Sequence, residues 1–254
     1  MREKIKYFLT LGFLISGLCL SLNAQNVWRD NQLKNERVKQ AYRNHYWNID
    51  SMLRECHINP LCYDLHLQVY KEQEMVAVYL KNKDVDTFSL FNVYDFCSTV
   101  GFLGPKLRQG DFQIPEGFYE IESFNPQSAY HLGLRVNYPN PADKRRNNSS
   151  NLGGDIMVHG GCATIGCIPI GDSLIEQLYI LATEAKNCGQ EKITLYIFPN
   201  DMNASNHKRI LEQYPASQLH SFWRNLLPLY KFFEKTKTLP EIGIDPEGQY
   251  YLVK

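Results

Sequence analysis

Three stretches between residues 63 and 97 constrain the fold more than anything else in this chain. YDLHLQVY, MVAVYL and TFSLFNVYDFC alternate apolar side chains with others at a period of two, and polar or charged residues bound each run. Successive side chains of a strand point to opposite faces, so this pattern predicts consecutive antiparallel strands. Further strands are expected at 118–124, launched by the Pro-Glu-Gly turn at 115–117, at 130–139, at DIMVHG ending on His159, and at KITLYIFP (192–199). Aromatic residues make up 13% of the chain, with 16 tyrosines, which suits a β-rich, well-packed globule.

Helical periodicity occupies the remainder. Residues 28–58 carry a loosely helical pattern that predicts one or two N-terminal helices. Leu174, Ile175, Leu178, Leu181 and Ala182 recur at helical spacing, and Ser173 with Glu176 reads as a capping box at the start. Two C-terminal helices are expected at ASNHKRILEQY and SQLHSFWRNLLPLYKFFEKT, with Pro228 a kink or break, followed by a short strand in EGQYYLVK. Residues 140–154 are almost without apolar side chains and read as an exposed, mobile flap. The expected architecture is one mainly β domain with a buried helix and a helical C-terminal elaboration.

The N-terminus reads MREKIKYFLTLGFLISGLCLSLNAQN: a basic start, a short apolar run and the small Ala24, the pattern of a secretory signal cleaved after Ala24. Lipidation at Cys19 would want a smaller residue than Leu18 before it. No later segment has the apolar length of a membrane span. The reading is an exported protein in the periplasm or cell envelope, with a signal at 1–24, a helical segment at 25–61 and the main domain at 62–254. Lys plus Arg and Asp plus Glu balance at 27 each, so no net field draws the chain to nucleic acid.

MVHGGCATIGCIPIGD (157–172) sets His159, Cys162 and Cys167 among glycines. A thiol becomes a nucleophile when an imidazole and a helix N-terminus favour its thiolate, and Cys167 has both within sequence reach. Glycine lets the backbone approach a reacting carbonyl, so the N–H groups of Gly166 and Cys167 are candidates to stabilise an oxyanion. Two other readings compete. His159, Cys162, Cys167 and Cys188 could ligate zinc, although their spacing lacks paired knuckles. Alternatively, a disulfide could join Cys162 to Cys167, or either to Cys97, as suits an exported chain.

The run GGDIMVHGGCATIGCIPIGD resembles the signature of the L,D-transpeptidase catalytic domain (YkuD) family, in particular its YafK-like branch, where a strand ends in His-Gly and Ser/Thr-x-Gly-Cys follows. GFLGPKLRQGDFQIPEGFYEI, NPQSAYHLGLRVNYPN and FWRNLLPLYKFFE are similar to further segments of that branch, so the likeness covers about residues 62–254. The resemblance implies a YkuD-like β-sandwich catalytic domain with a helix behind the nucleophile, Cys167 as nucleophile, His159 as general base, and Gly166 before the nucleophile. Thr164 matches the small hydroxyl position, and Ile165 stands where many members carry a second histidine. His131, in a Tyr-His-Leu that recurs near the cleft in this branch, is either a substrate contact or a hydrogen-bonded core histidine. Asp155 either orients the imidazole or begins a strand on the surface. Lys106, Lys144, Arg145 and Arg146 either meet substrate carboxylates or form a solvated loop surface. The implied substrates are peptidoglycan stem peptides, with cell-envelope proteins as further partners and with no cofactor or metal. The implied outcomes are cross-linking, hydrolysis of stem peptides, or hydrolysis of a peptidoglycan–protein link. A scaffold with Cys167 locked in a disulfide is the alternative from another class.

Overall fold

The computed structural model describes residues 27–253. The expected signal peptide and Cys19 lie outside the described residues. Eight strands form one curled mixed sheet: β1 (Tyr63–Tyr70), β2 (Met75–Asn82), β3 (Ser89–Asp95), β4 (Gly117–Asn125), β5 (Gly133–Val136), β6 (Met157–His159), β7 (Ile168–Pro169) and β8 (Thr194–Phe198). Their order across the sheet is β3-β2-β1-β8-β4-β5-β6-β7. The β1–β8 and β6–β7 pairs are parallel and the others antiparallel. β4 hands the sheet from one partner to the next: its residues 117–120 pair with β8, then the register shifts between Ile121 and Ser123 where it meets β5. Such an irregularity bends a strand and curls the sheet at that point.

The period-two pattern sorts side chains onto two different faces. Leu65, Leu67 and Val69 of β1, Val76, Val78 and Leu80 of β2, and Leu195 and Ile197 of β8 are buried in a largely aliphatic core with α1 (Glu36–Glu55) and α3 (Asp172–Asn187). Tyr70, Tyr79, Phe118, Tyr196 and Phe198 point the other way, into an aromatic core with α4 (Ala204–Gln213), α5 (Ser217–Thr236) and the small hairpin β9 (Ile242–Ile244) and β10 (Tyr250–Leu252). The chain is thus mainly β with helices on both faces of the sheet. No helix among the described residues is long and apolar enough to cross a membrane.

Several local expectations are corrected. α5 runs unbroken through Pro228, because Phe222, Trp223 and Leu226 before it and Leu229, Tyr230 and Phe233 after it are buried in one core that carries the helix across the lost hydrogen bond. The stretch 130–139 is strand only at Gly133–Val136, with a turn before it. The flap expected at 140–154 begins instead as α2 (Pro141–Arg146), set by a capping box between Asn140 and Asp143 and by Pro141 in the first turn. The rest of it is tied to the 102–113 loop: Gln109 N–H donates to Asn151 O (3.1 Å), Asn151 Nδ2 donates to Gln109 Oε1 (2.6 Å), and Asn147 Nδ2 donates to Leu107 O. At α3, Gly171 occupies the cap position without a side-chain bond, and Glu176 is engaged elsewhere, so the Ser173 capping box does not form.

Candidate active site

The chemistry-bearing side chains meet where β6 and β7 run parallel. Val158 pairs with Ile168 and His159 with Pro169, so Cys167, one residue before β7, lies two positions from the partner of His159 on the same face. Both line one cleft of about 690 Å³ together with Tyr130, Asp155, Thr164 and Gly166. Cys167 is a free thiol. Cys162 is joined to Cys97 and Cys188 to Cys62, so the candidate zinc set is dissolved and the pairing of Cys162 with Cys97 is the disulfide formed.

His159 is 2% exposed. Its Nδ1 donates to Gly160 O at 2.5 Å, since a carbonyl can only accept, which leaves Nε2 unprotonated. That Nε2 is buried and has no hydrogen-bond partner. Burial holds the imidazole below its ordinary pKa, with the Gly160 bond opposing, so the ring is neutral at neutral pH. The Tyr130 ring covers it at a centroid distance of 4.8 Å.

The Cys167 thiol donates to Asp155 O at 3.5 Å. Burial pushes its pKa up; the Met157 backbone N–H and the Lys106 charge pull the other way, and Asp155 pushes it up further. The expected helix-terminus effect is absent because β7 intervenes, and α3 starts only at Asp172. Thr164 Oγ1 accepts the N–H groups of Gly166 (3.1 Å) and Cys167 (2.9 Å) and donates to Cys167 O (2.9 Å). The two N–H groups expected to face an oxyanion are therefore held by Thr164 in this state. Glycine is required at two places in the turn. A Cβ on Gly160 would sit 2.6 Å from Asp172 Oδ1 and 2.9 Å from Tyr130 O, and Gly166, at φ +131°, would place one 2.8 Å from Gln113 O.

Other expected site residues are placed differently. His131 is not part of the cleft lining: its Nε2 binds Glu176 Oε1 at 2.7 Å, and Glu176 also meets His45 at 3.0 Å and Asn44 at 3.0 Å. The adjacent Tyr130 faces the cleft in its place, because His131 adopts φ +68° and turns the chain between them. Lys106 lines the cleft but is 6% exposed and bound to Asp111 at 2.5 Å. Arg145 donates to the carbonyls of Ile244 (2.8 Å) and Asp245 (2.7 Å), fixing the C-terminal hairpin and leaving the cleft without it. Asp155 pairs with Arg135 at 3.0 Å, and the imidazole is oriented by Gly160 O instead. Tyr130 and Asp172 were not singled out by the sequence. Asp172 accepts the Gly161 N–H at 2.7 Å and so fastens the turn to α3. Its position in the first helical turn after a glycine-rich run is the signal that marks it.

Known proteins carry a related sequence over about three quarters of this length. The chain is 32% identical over 192 residues to the protein named "Putative L,D-transpeptidase YafK" in Escherichia coli K12, covering 75% of this chain and 74% of that one, and the O157:H7 protein of that name matches equally. The chain belongs to the YafK-like L,D-transpeptidase family. No family model matches it. Among solved structures it is similar to the helical cell shape determining protein Pgp2 of Campylobacter jejuni (17% identity, TM-score 0.38, 78% of this chain and 80% of that one). It is also similar to Bd1075 of Bdellovibrio bacteriovorus (18% identity, TM-score 0.40, 72% and 78%). Within the YafK-like family, this member's free Cys167 and partnerless His159 Nε2 share one cleft.

Proposed function

We propose that the protein is an exported, peptidoglycan-acting enzyme of the cell envelope that transfers acyl groups through a Cys167 thioester. The observation that carries this reading is the neutral His159, its Nε2 lone pair unmet, in one cleft with the free thiol of Cys167 just before the adjoining strand. A buried nitrogen without a partner costs stability, and catalysis is a reason to keep one. In the attack, Nε2 takes the thiol proton as sulfur bonds to the diaminopimelate carbonyl carbon of a stem peptide. The tetrahedral intermediate collapses as His159 returns that proton to the leaving D-amino acid nitrogen, giving the thioester. An acceptor amine then gives a proton to His159 as its nitrogen attacks the thioester carbonyl, the C–S bond breaks, and His159 returns the proton to the Cys167 sulfur, leaving a cross-link; water in the amine's place releases the acid.

Negative charge on the carbonyl oxygen needs donors. The Gly166 and Cys167 N–H groups supply them once the Thr164 hydroxyl rotates away, the substrate oxygen replacing Thr164 Oγ1 as their acceptor. Mass spectrometry of purified stem peptides incubated with the protein tests the reading. Release of the terminal D-residue, with a cross-linked or a trimmed product, is expected, and no turnover in Cys167→Ala. Unchanged peptides with the wild-type protein would overturn it.

A further inference from the structure

A second concavity is larger than the thiol cleft. A groove of about 1260 Å³ lies beside it, walled by the 102–113 loop, by Asp143 to Ser149 and by the first turns of α5, and it shares Lys106 and Gly110 with the cleft. Its loop wall is firmly built. The Asp111 carboxylate accepts the N–H groups of Leu107 (2.8 Å), Arg108 (3.0 Å) and Gln113 (3.1 Å), besides the Lys106 ammonium. At the foot of the loop, the buried Lys71 and Glu116 hold Gly104 through its carbonyl and its N–H. A loop pinned this closely nevertheless displays Phe102, Leu107 and Phe112 at 75%, 54% and 52% exposure, all three on the groove wall. Phe112 is held at φ +57°, a left-handed conformation unfavourable for an aromatic residue. Strain and exposed apolar area concentrated on one rigid loop are features of an interaction surface.

The charges in the groove are unbalanced in a specific way. Lys106 is satisfied by Asp111, but Arg108 has no ion-pair partner among the described residues. Arg146 lies over Phe222 at 4.4 Å and Tyr250 at 4.9 Å, touches Asp143 only at 3.4 Å, and keeps a buried Nη1 with no partner. A guanidinium with an unmet donor suits a carboxylate. Phe102, Leu107, Phe112 and Leu219 offer apolar surface for apolar side chains, and a neutral glycan has no charge for Arg146 or Arg108. We propose that this groove is a docking site for a polypeptide segment bearing apolar side chains and a carboxylate, separate from the thiol cleft and open to it along one rim.

The test uses the Cys167→Ala protein, which removes the chemistry, as bait for a displayed random dodecapeptide library. Enriched sequences should combine apolar residues with Asp or Glu. Measured by fluorescence anisotropy, the synthetic peptides should bind at least ~10-fold more weakly to Phe102→Gln/Leu107→Gln, whose exposed sites leave folding intact. Arg108→Gln should weaken acidic peptides and not their amide counterparts. Arg146→Gln should do the same if it folds by circular dichroism, and Arg108→Gln decides the matter if it does not. Absence of enrichment, equal binding to the groove variants, or displacement of the peptides by N-acetylglucosamine oligomers, which would make the groove a glycan site, would each overturn the proposal. Carbapenem acylation of Cys167, measured separately in groove variants that retain the thiol, reports on the catalytic reading independently.

Discussion

At the residue scale, the pair His159 and Cys167 rests as neutral imidazole and neutral thiol, because burial acts first on both and drives their pKa values apart. With His159 as the proposed base, protonating it abolishes the base, and its pKa lies below the ordinary value, so the acid limb of kcat/KM should fall below about pH 6.5. The thiol loses its proton only above its ordinary pKa, so the alkaline limb should lie above it, leaving a broad plateau. His159→Ala should lose ~10²–10⁴-fold in rate while keeping its fold by circular dichroism. Peptide mapping after carbapenem treatment should place the adduct on Cys167 and leave the disulfide-bonded Cys162 unmodified. Thr164→Ser keeps the hydroxyl that closes the turn, whereas Thr164→Val leaves the Gly166 and Cys167 N–H groups without their acceptor. The serine variant should therefore retain both activity and stability, whereas the valine variant should cost about 1–3 kcal/mol in denaturant unfolding, because the two N–H groups lose their acceptor in the free protein, without a matching loss of kcat, because an oxyanion no longer has to displace Oγ1 from them.

At the scale of elements, the turn between His159 and Cys167 is anchored from several sides. The Cys97–Cys162 bridge ties it to the end of β3, Asp172 ties it to α3, and Arg37 of α1 donates to both Ser128 O and His131 O at 2.6 Å, steadying the Tyr130 turn over His159. The bridge spans 65 residues, for which chain-entropy reasoning gives about 4 kcal/mol. Cys97→Ser/Cys162→Ser should therefore lower the thermal midpoint yet still acylate at Cys167, and an unchanged midpoint would show that the bridge constrains little. Beneath the neighbouring loop, Lys71 meets Glu116 at 2.9 Å, and Glu116 also accepts from Trp223 at 2.8 Å. Lys71→Met strands a buried carboxylate and should cost about 3–5 kcal/mol in denaturant unfolding, with Lys71→Met/Glu116→Gln recovering part of that loss. Beyond the Cys97–Cys162 bridge, one of the pairings the sequence offers, and the place of Asp172 after a glycine-rich run, this bracing does not show as a sequence pattern. Lys71, Glu116, Asp172 and Glu176 are single charged residues, and only the tertiary fold reveals which carbonyls and N–H groups they meet.

At the scale of the whole molecule, the sheet was legible because both its faces are buried and alternate in kind, aliphatic toward α1 and α3 and aromatic toward α5. Cys167 and His159 were legible as a motif because glycine spacing and residue type carry local information. The short polar α2 was missed because its stability comes from a cap and from burying Ala142 and Asp143, not from an apolar stripe. The cleft charges were misplaced for a related reason: nothing local tells Arg145 that the C-terminal hairpin lies within reach. The same two-faced sheet carries a pH liability. His66 is fully buried in the aromatic layer, its ring 4.6 Å from that of Tyr196 and 4.9 Å from that of Phe233. Its Nδ1 meets Thr194 Oγ1 at 2.6 Å and its Nε2 meets the Gln68 amide at 3.1 Å, which suits a neutral ring. Burial holds its pKa down to about 3, with the Thr194 bond opposing, while the unfolded chain titrates near 6.5. Below that unfolded value the unfolded state takes up a proton that the folded state refuses, so stability is full above pH ~6.5 and declines as pH falls toward about 3. The whole window is worth up to about 5 kcal/mol. Urea unfolding at pH 7 and pH 4 should show this loss. In His66→Gln, which keeps hydrogen-bonding groups at the site without titrating, the slope between those two pH values should flatten by the His66 share, and an identical slope would mean that other groups set the acid sensitivity.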